Sequence, residues 1–234
     1  MKVLVIIPAY NEEESIKMTI DKLSKDAPYV DYLVVNDCSR DHTKEILEQM
    51  HASFISLPVN LGIGGAVQSG YRYALANHYD IAVQIDGDGQ HDTAYLATVL
   101  EPLQKQEADV VIGSRFIAKE GFQSSGMRRA GIKILDSLIF LCTGIEIKDS
   151  TSGFRAIDRT MIELYAKEYP IDYPEPEAIV RAAVEGARIL EVPVVMKERN
   201  AGQSSIRPLH SAYYMLKVSI AIMLCRISNH KRRK

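Results

Sequence analysis

Two carboxylates two residues apart, Asp86 and Asp88, follow an apolar run and are separated by Gly87. At the end of a buried strand such a pair repels itself and loses hydration, so it stays wet, raises one pKa or binds a cation. A divalent ion resolves the conflict. Hard oxygen ligands suit Mg2+ or Mn2+, and the coordination positions left over suit phosphate oxygens. The pair alone does not decide between such a site and a solvated Asp-Gly turn. A second candidate lies in 60–66, Asn-Leu-Gly-Ile-Gly-Gly-Ala, where Gly64 and its neighbours would let main chain approach a ligand at a helix start. This loop matches neither the dinucleotide nor the P-loop pattern, and a helix N-cap explains it without any ligand.

These residues need a scaffold that gathers strand ends. Apolar runs at 3–7, 32–35, 54–57, 81–85 and 110–112 alternate with segments of helical period at 12–25, 41–50, 64–77 and 93–106. The alternation predicts an α/β fold of βα units around a largely parallel sheet covered on both faces. Four strands end in polar or glycine-rich turns: 8–11, 36–39, 86–88 and 113–115. In an open α/β sheet ligands bind outside the carboxyl ends of the strands, so these turns should converge on one crevice.

The 234 residues, 47% hydrophobic and 25% charged, suit one folded domain without disordered stretches before the last few residues. A net charge of -2 gives no global positive field, which argues against nucleic acid as a partner. Cys38, Cys142 and Cys225 have neither the close pairs of a zinc site nor the even count of a disulfide framework, which fits a reducing cytosol. The apolar run after Lys2 is too short for a signal segment and is ended by Pro8, so it reads as a first strand, and nothing points to secretion.

Six segments carry a resemblance in order along the chain: PAYNEEESI at 8–16, VVNDCSRDHT at 34–43, NLGIGGAVQSGYRYA at 60–74, QIDGDGQH at 84–91, GSR at 113–115 and DSTSGFR at 149–155. They resemble inverting glycosyltransferases of family 2, and within that family the group of dolichyl-phosphate mannose synthase and the bacterial polyprenyl-phosphate glycosyltransferases. The resemblance implies a GT-A fold over 1–208, a Rossmann-like mostly parallel sheet flanked by helices, with a nucleotide-sugar donor and Mg2+ or Mn2+ as cofactor. It implies that Pro8, Ala9, Tyr10 and Glu12 line the base and ribose pocket, that Asp37 reads a base edge, and that Gly64 and Gly87 lie against the nucleotide sugar. Asp86 would sit near ribose and metal, while Asp88 and Gln90 would ligate the metal on the diphosphate. Arg115, Arg128, Arg129 and Arg199 fall where the resemblance places phosphate contacts and complete, with Asp88, the catalytic set. Their planar forks suit phosphate oxygens. Arg199, Gly202 and Ser204 look like the family's mobile RxxGxS loop, although Ser205 stands where many relatives carry Lys or Arg.

Plainer readings stand beside these. Glu12, Glu13 and Glu14 suit the first turn of a helix, Asp41 is a natural N-cap, and Asp37 could cap the same turn; we favour function for Asp37 and structure for Asp41. Arg128 and Arg129 could be a solvated surface pair, and Ser150, Thr151 and Ser152 could order a tight polar turn. Glu175 and Glu177 match the region where many family members keep a base, yet Pro174-Glu175-Pro176-Glu177 also reads as a helix start. A hydroxyl acceptor needs such a base within reach, whereas a polyprenyl phosphate is already an anion and needs none.

The segment 209–234 is apolar to residue 227, broken by Lys217, and ends in Lys231-Arg232-Arg233-Lys234. It is marginal for a spanning helix and reads as an amphipathic or membrane-associated helix with a basic tail drawn to anionic lipid. A core helix with a solubilising tail is the plainer alternative. By analogy with relatives of this short layout, a small membrane protein is a further expected partner.

The expected function is therefore inverting transfer of a hexose or N-acetylhexosamine from a nucleoside-diphosphate sugar, UDP ahead of GDP, to polyprenyl phosphate for cell-envelope glycan synthesis. The enzyme would be cytoplasmic and peripheral at the inner face of the plasma membrane. The alternatives are a family 2 transferase acting on a glycan hydroxyl, a sugar nucleotidyltransferase, and a non-catalytic nucleotide-sugar-binding subunit.

Overall fold

The computed structural model describes residues 1–118, 120, 126–172, 174–197 and 217–225, the side chains of Met127 and Arg128 excepted. Seven strands form one sheet: β1 (Val3–Ala9), β2 (Asp31–Asn36), β3 (Phe54–Ser56), β4 (Ile81–Gln84), β5 (Val110–Ser114), β6 (Arg155–Asp158) and β7 (Ile189–Pro193). Their spatial order is β3-β2-β1-β4-β6-β5-β7. All neighbours are parallel except β6, which runs antiparallel between β4 and β5.

Among the described residues eight α-helices connect them: α1 (Ile16–Asp26), α2 (Thr43–Gln49), α3 (Gly62–Ala76), α4 (Leu96–Gln104), the single turn α5 (Arg115–Ala118), α6 (Gly126–Thr143), α7 (Arg159–Lys167) and α8 (Pro174–Val184). A further helical segment covers 217–225. Every residue of β1, β4 and β5 is buried, which is why these strands read as unbroken apolar runs. The pleat sends Leu4 and Ile6 into one core with α3, α6, α7 and α8, and sends Val3, Val5 and Ile7 into the other with α1 and α4. In α1, Ile16, Thr19, Ile20 and Leu23 are the buried face, at helical spacing.

The expected elements are present with shifted ends. One shift matters: α1 begins at Ile16, so Glu12, Glu13 and Glu14 stand in a turn ahead of the helix and not in its first turn. The Glu12 carbonyl accepts the N–H groups of Ser15 and Ile16, at 3.1 and 2.9 Å, and this turn ends the loop from β1. Of the expected carboxyl-terminal helix only 217–225 is described. Val218 and Ile222 enter the same core as Leu135 and Ile139 of α6. The rest of 209–234, with its basic tail, lies outside the described residues.

Candidate active site

Chain order reverses between β1 and β4, because the connection from β1 leads outward to β2 and β3 before the chain returns to β4. The carboxyl ends of these two parallel neighbours therefore open the crevice in which open α/β sheets bind ligands.

The β1 and β2 turns are laced together there. Asp37 N–H donates to the Ala9 carbonyl at 2.9 Å. Asn11 N–H donates to Ser39 Oγ at 3.0 Å, and Arg40 N–H donates to Asn11 Oδ1 at 2.8 Å. Asn11 and Cys38 adopt positive φ, 57° and 59°, as tight turns require. Glu12 N–H donates to Thr43 Oγ1 and Glu13 N–H to Asp41 Oδ2. Asn11, Glu12, Glu13 and Asp41, with Glu14, Ser15 and Arg40, line a cleft of about 380 Å3. Asp41, one residue ahead of the α2 N-cap His42, accepts both the N–H and the hydroxyl of Thr43, at 3.0 and 2.6 Å; burial raises its pKa, but these bonds and the Glu13 N–H bring it below the usual range.

Asp37 is placed otherwise than expected. It is buried, and its Oδ1 accepts Leu61 N–H at 2.7 Å at the start of α3. Burial raises its pKa, while the N–H groups of Leu61 and Gly62 pull it back. One oxygen of its carboxylate is thus engaged with the main chain that leads into α3. Gly64 is also given a different partner. A Cβ there would stand 2.1 Å from the Pro170 carbonyl oxygen and 2.3 Å from that of Ile171, and Gly64 N–H donates to the latter at 3.1 Å. Close approach of main chain is what the glycine permits, but the approaching chain is the protein's own 170–171 loop.

The acidic turn follows β4 directly. Asp86 N–H donates to His91 Nδ1 at 2.9 Å, Thr19 Oγ1 donates to the Gly87 carbonyl at 3.1 Å, and a Cβ on Gly87 would stand 3.1 Å from the Pro8 carbonyl oxygen. Asp88 is 6% exposed, and its Oδ1 accepts Gln90 N–H at 3.0 Å. Gly89, at φ +76°, turns the chain between them. Asp86 keeps 36% of its side chain exposed to the crevice. The turn is fastened to a distant strand end: Lys197 N–H donates to the Gln90 carbonyl, Gln90 Nε2 donates to the Lys197 carbonyl, and His91 bridges Met196.

Asp86, Asp88 and Gln90 offer only oxygen donors of carboxylate and amide type. Among the described residues no three His, Cys, Asp or Glu side chains cluster so as to hold an ion by themselves. Two carboxylates and an amide suit an ion that draws its other ligands from water and phosphate oxygens, as Mg2+ and Mn2+ do.

Arg115 is the second departure from expectation. It is buried, and its Nε and Nη2 donate to the two oxygens of Asp149 at 2.7 and 2.6 Å; Nη2 also reaches Thr151 Oγ1 at 2.9 Å. Burial lowers its pKa, but the Asp149 carboxylate, with Asp86 and Asp136 farther off, more than reverses this. The guanidinium expected on phosphate instead ties the 149–155 turn to the end of β5. Ser152 Oγ completes that tie by donating to the Gly113 carbonyl at 2.6 Å, in keeping with the turn reading of 150–152. Arg155, buried in the same turn, donates to the carbonyls of Ser150, Ser152 and Glu175.

Arg129 is exposed on α6, its guanidinium 5.8 Å from the Phe116 ring centre. Arg128 lies on the same helix, its side chain outside the described residues, as are Arg199 and its whole loop. Glu175 and Glu177 open α8. Burial raises the Glu177 carboxyl above its usual range, with Arg181 opposing. His91 and Gly153, which both meet Asp86, had no role assigned from the sequence; their signal was membership of the QIDGDGQH and DSTSGFR segments.

The model of glycosyl transferase family 2 matches residues 4–165. An undecaprenyl-phosphate mannosyltransferase of Micrococcus luteus is 34% identical over 220 residues, covering 88% of each chain. A UDP-N-acetylglucosamine–dolichyl-phosphate N-acetylglucosaminyltransferase of Methanococcus voltae is 29% identical over 212 residues, covering 82% of this chain and 84% of its own. Glucosyl-3-phosphoglycerate synthase from Mycobacterium tuberculosis, in a crystal with Mn2+, UDP and phosphoglyceric acid, superimposes with a TM-score of 0.71 at 24% identity over 96% of this chain and 78% of its own, a likeness of fold. With most of its length inside that family model and an acidic turn at the switch point of a GT-A sheet, the chain is a glycosyltransferase and belongs to glycosyl transferase family 2.

Proposed function

We propose that this enzyme transfers a hexose or N-acetylhexosamine from a nucleoside-diphosphate sugar to polyprenyl phosphate, with inversion at the anomeric carbon. The observation that carries the reading is the position of Asp86 and Asp88 at the carboxyl end of β4, beside the cleft formed by the β1 and β2 turns. The names of the relatives support the lipid acceptor, since both act on polyprenyl-type phosphates. In the reaction an oxygen of the acceptor phosphate forms a bond to the anomeric carbon while the bond from that carbon to the donor diphosphate breaks. The nucleoside diphosphate leaves with the electron pair, and no proton need move. Asp86, Asp88 and Gln90 would hold Mg2+ or Mn2+, which would supply positive charge to the departing diphosphate. Pro8, Ala9, Tyr10 and Glu12 would border the nucleoside, with UDP our first choice over GDP. Arg128, Arg129 and Arg199 remain the candidates for phosphate contacts.

A membrane surface fits the acceptor. Ile134, Phe140 and Leu141 on α6 and Ile220, Met223 and Leu224 on 217–225 are exposed, on two helices that share one core. No helix among the described residues is long and apolar enough to cross a membrane. Peripheral attachment at the cytoplasmic leaflet, aided by the basic residues 231–234, is the arrangement we favour; a small membrane protein on the same face is the competing cover.

The test is incubation of the purified chain with radiolabelled UDP- and GDP-sugars, polyprenyl phosphate in vesicles and Mg2+ or Mn2+. Label should pass into the organic phase with one donor, and its absence with every donor would refute the reading. The Glu175→Gln, Glu177→Gln double variant should keep this turnover. Its loss would favour a hydroxyl acceptor and a carboxylate base.

A further inference from the structure

One buried ring meets both the main chain and the carboxylate of Asp86. His91 is 5% exposed, and its Nδ1 accepts the Asp86 main-chain N–H at 2.9 Å. A neutral ring whose Nδ1 accepts must carry its proton on Nε2. Nε2 stands 3.6 Å from Asp86 Oδ2, longer than a formed hydrogen bond, so the ring borders the carboxylate without bonding it in this state.

The ring has little freedom to leave this position. It stacks on Phe154 with centroids 5.3 Å apart and planes at 29°. Gly153 presses on it from the next turn, where a Cβ would stand 3.3 Å from His91 Cε1 and 3.0 Å from Asp86 Oδ1. Its main chain is paired with Met196. A histidine that only stapled the turn would need one nitrogen on one main-chain group. Here the ring also stands beside the carboxylate of the same residue, and that carboxylate is the more exposed of the two in the acidic turn.

We propose that His91 is a positioning residue for the metal-diphosphate site. Through Nδ1 it fixes the main chain of Asp86, and its ring, held on Phe154 and beside Gly153, walls one side of the Asp86 carboxylate, so that the ion would meet an oriented oxygen and not a free rotor. The inference rests on the proposed role of Asp86 as a metal ligand. Partners that orient a ligand in this way are worth roughly ten- to hundredfold in metal affinity.

The test is Mn2+ binding by the full chain with UDP or GDP present, read from the free ion's electron paramagnetic resonance signal. His91→Phe keeps a ring to stack on Phe154 and removes both nitrogens, so Mn2+ affinity should fall roughly ten- to hundredfold. His91→Asn places an acceptor where Nδ1 was and nothing where Nε2 was, so it should recover only part of that loss. In turnover, the Mn2+ concentration for half-maximal rate should rise in the same order while kcat at saturating Mn2+ stays near the parent's. Parental Mn2+ affinity in folded His91→Phe would overturn the inference. If His91→Phe does not fold, His91→Asn decides: parental affinity overturns the inference and weakened affinity supports it. No Mn2+ binding by the parent with either nucleotide would instead overturn the proposed metal site, and this inference with it.

Discussion

Gly153 lies so close to the Asp86 carboxylate that a methyl group on its α-carbon would stand 3.0 Å from Oδ1 and 3.1 Å from Oδ2. The SGFR turn and the acidic turn after β4 therefore constrain each other, and only a residue without Cβ leaves the carboxylate its position. Gly153→Ala should push Asp86 aside, because its partly exposed side-chain end can yield where the stacked His91 ring, 3.3 Å from the same Cβ, cannot. The expected outcome is a loss of roughly tenfold in kcat/KM for the donor, as for other disturbances of a ligand's orientation. Steady-state kinetics beside a melting curve would check it; a large fall in melting temperature with unchanged kinetics would contradict it.

Arg115 and Asp149 form a buried bidentate pair, and removing one partner strands a charge in the core. Asp149→Leu alone should destabilise the protein by about 3–5 kcal/mol, whereas Arg115→Met with Asp149→Leu should cost much less, because no charge is left buried. Urea unfolding of the two single variants and the double variant measures the coupling. If Arg115→Met alone lowered donor affinity without lowering stability, the phosphate-contact role would return.

Gly64 separates a packing role from a ligand-contact role. Gly64→Ala would drive a methyl group into two main-chain carbonyls of the 170–171 loop, an overpacking that costs about 1–3 kcal/mol or more. The melting temperature should fall while KM for the donor stays near the parent's. A raised donor KM at unchanged stability would place the nucleotide against this glycine after all.

Asp136 sets a pH dependence. Burial, with the Asp149 and Glu191 carboxylates adding to it and the Ser150 hydrogen bonds opposing, pushes its pKa up to about 6. The folded chain thus holds this proton more tightly than the unfolded chain, so the group's stabilising contribution is complete below the ordinary carboxylate range and lost as pH rises through about 6. Asp136→Asn keeps an oxygen for the Ser150 N–H, which Asp136 Oδ1 accepts at 3.3 Å, and cannot ionise. It should be more stable than the parent at pH 7 to 8 by on the order of 1 kcal/mol after solvent screening, with the advantage gone near pH 4. Urea midpoints across that range would reveal an opposite slope if the burial argument were wrong.

Much of the first half of the fold was legible because β1, β4 and β5 are buried on both faces and so read as unbroken apolar runs. β6 was not. Its four residues begin with a buried arginine, tolerated only because three main-chain carbonyls from two other segments receive its N–H groups. The start of α1 was misplaced by four residues, since the acidic run 12–14 suits a helix terminus while the lacing of the β1 and β2 turns holds it in a turn.

The sequence by itself determined the family, the crevice end of the sheet and the oxygen-only chemistry of the acidic turn, because residue type at a strand end dictates which groups can face a ligand there. Only the tertiary structure decided which of those groups are already occupied. Arg115 meets a carboxylate 34 residues away, Asp37 meets an N–H 24 residues away, and Gly64 meets the 170–171 loop. His91 turns back on Asp86 because Phe154 and Gly153 close over it. Such pairings depend on how distant loops come together over the sheet, and a chain read in order carries no mark of which loop will cover which strand end.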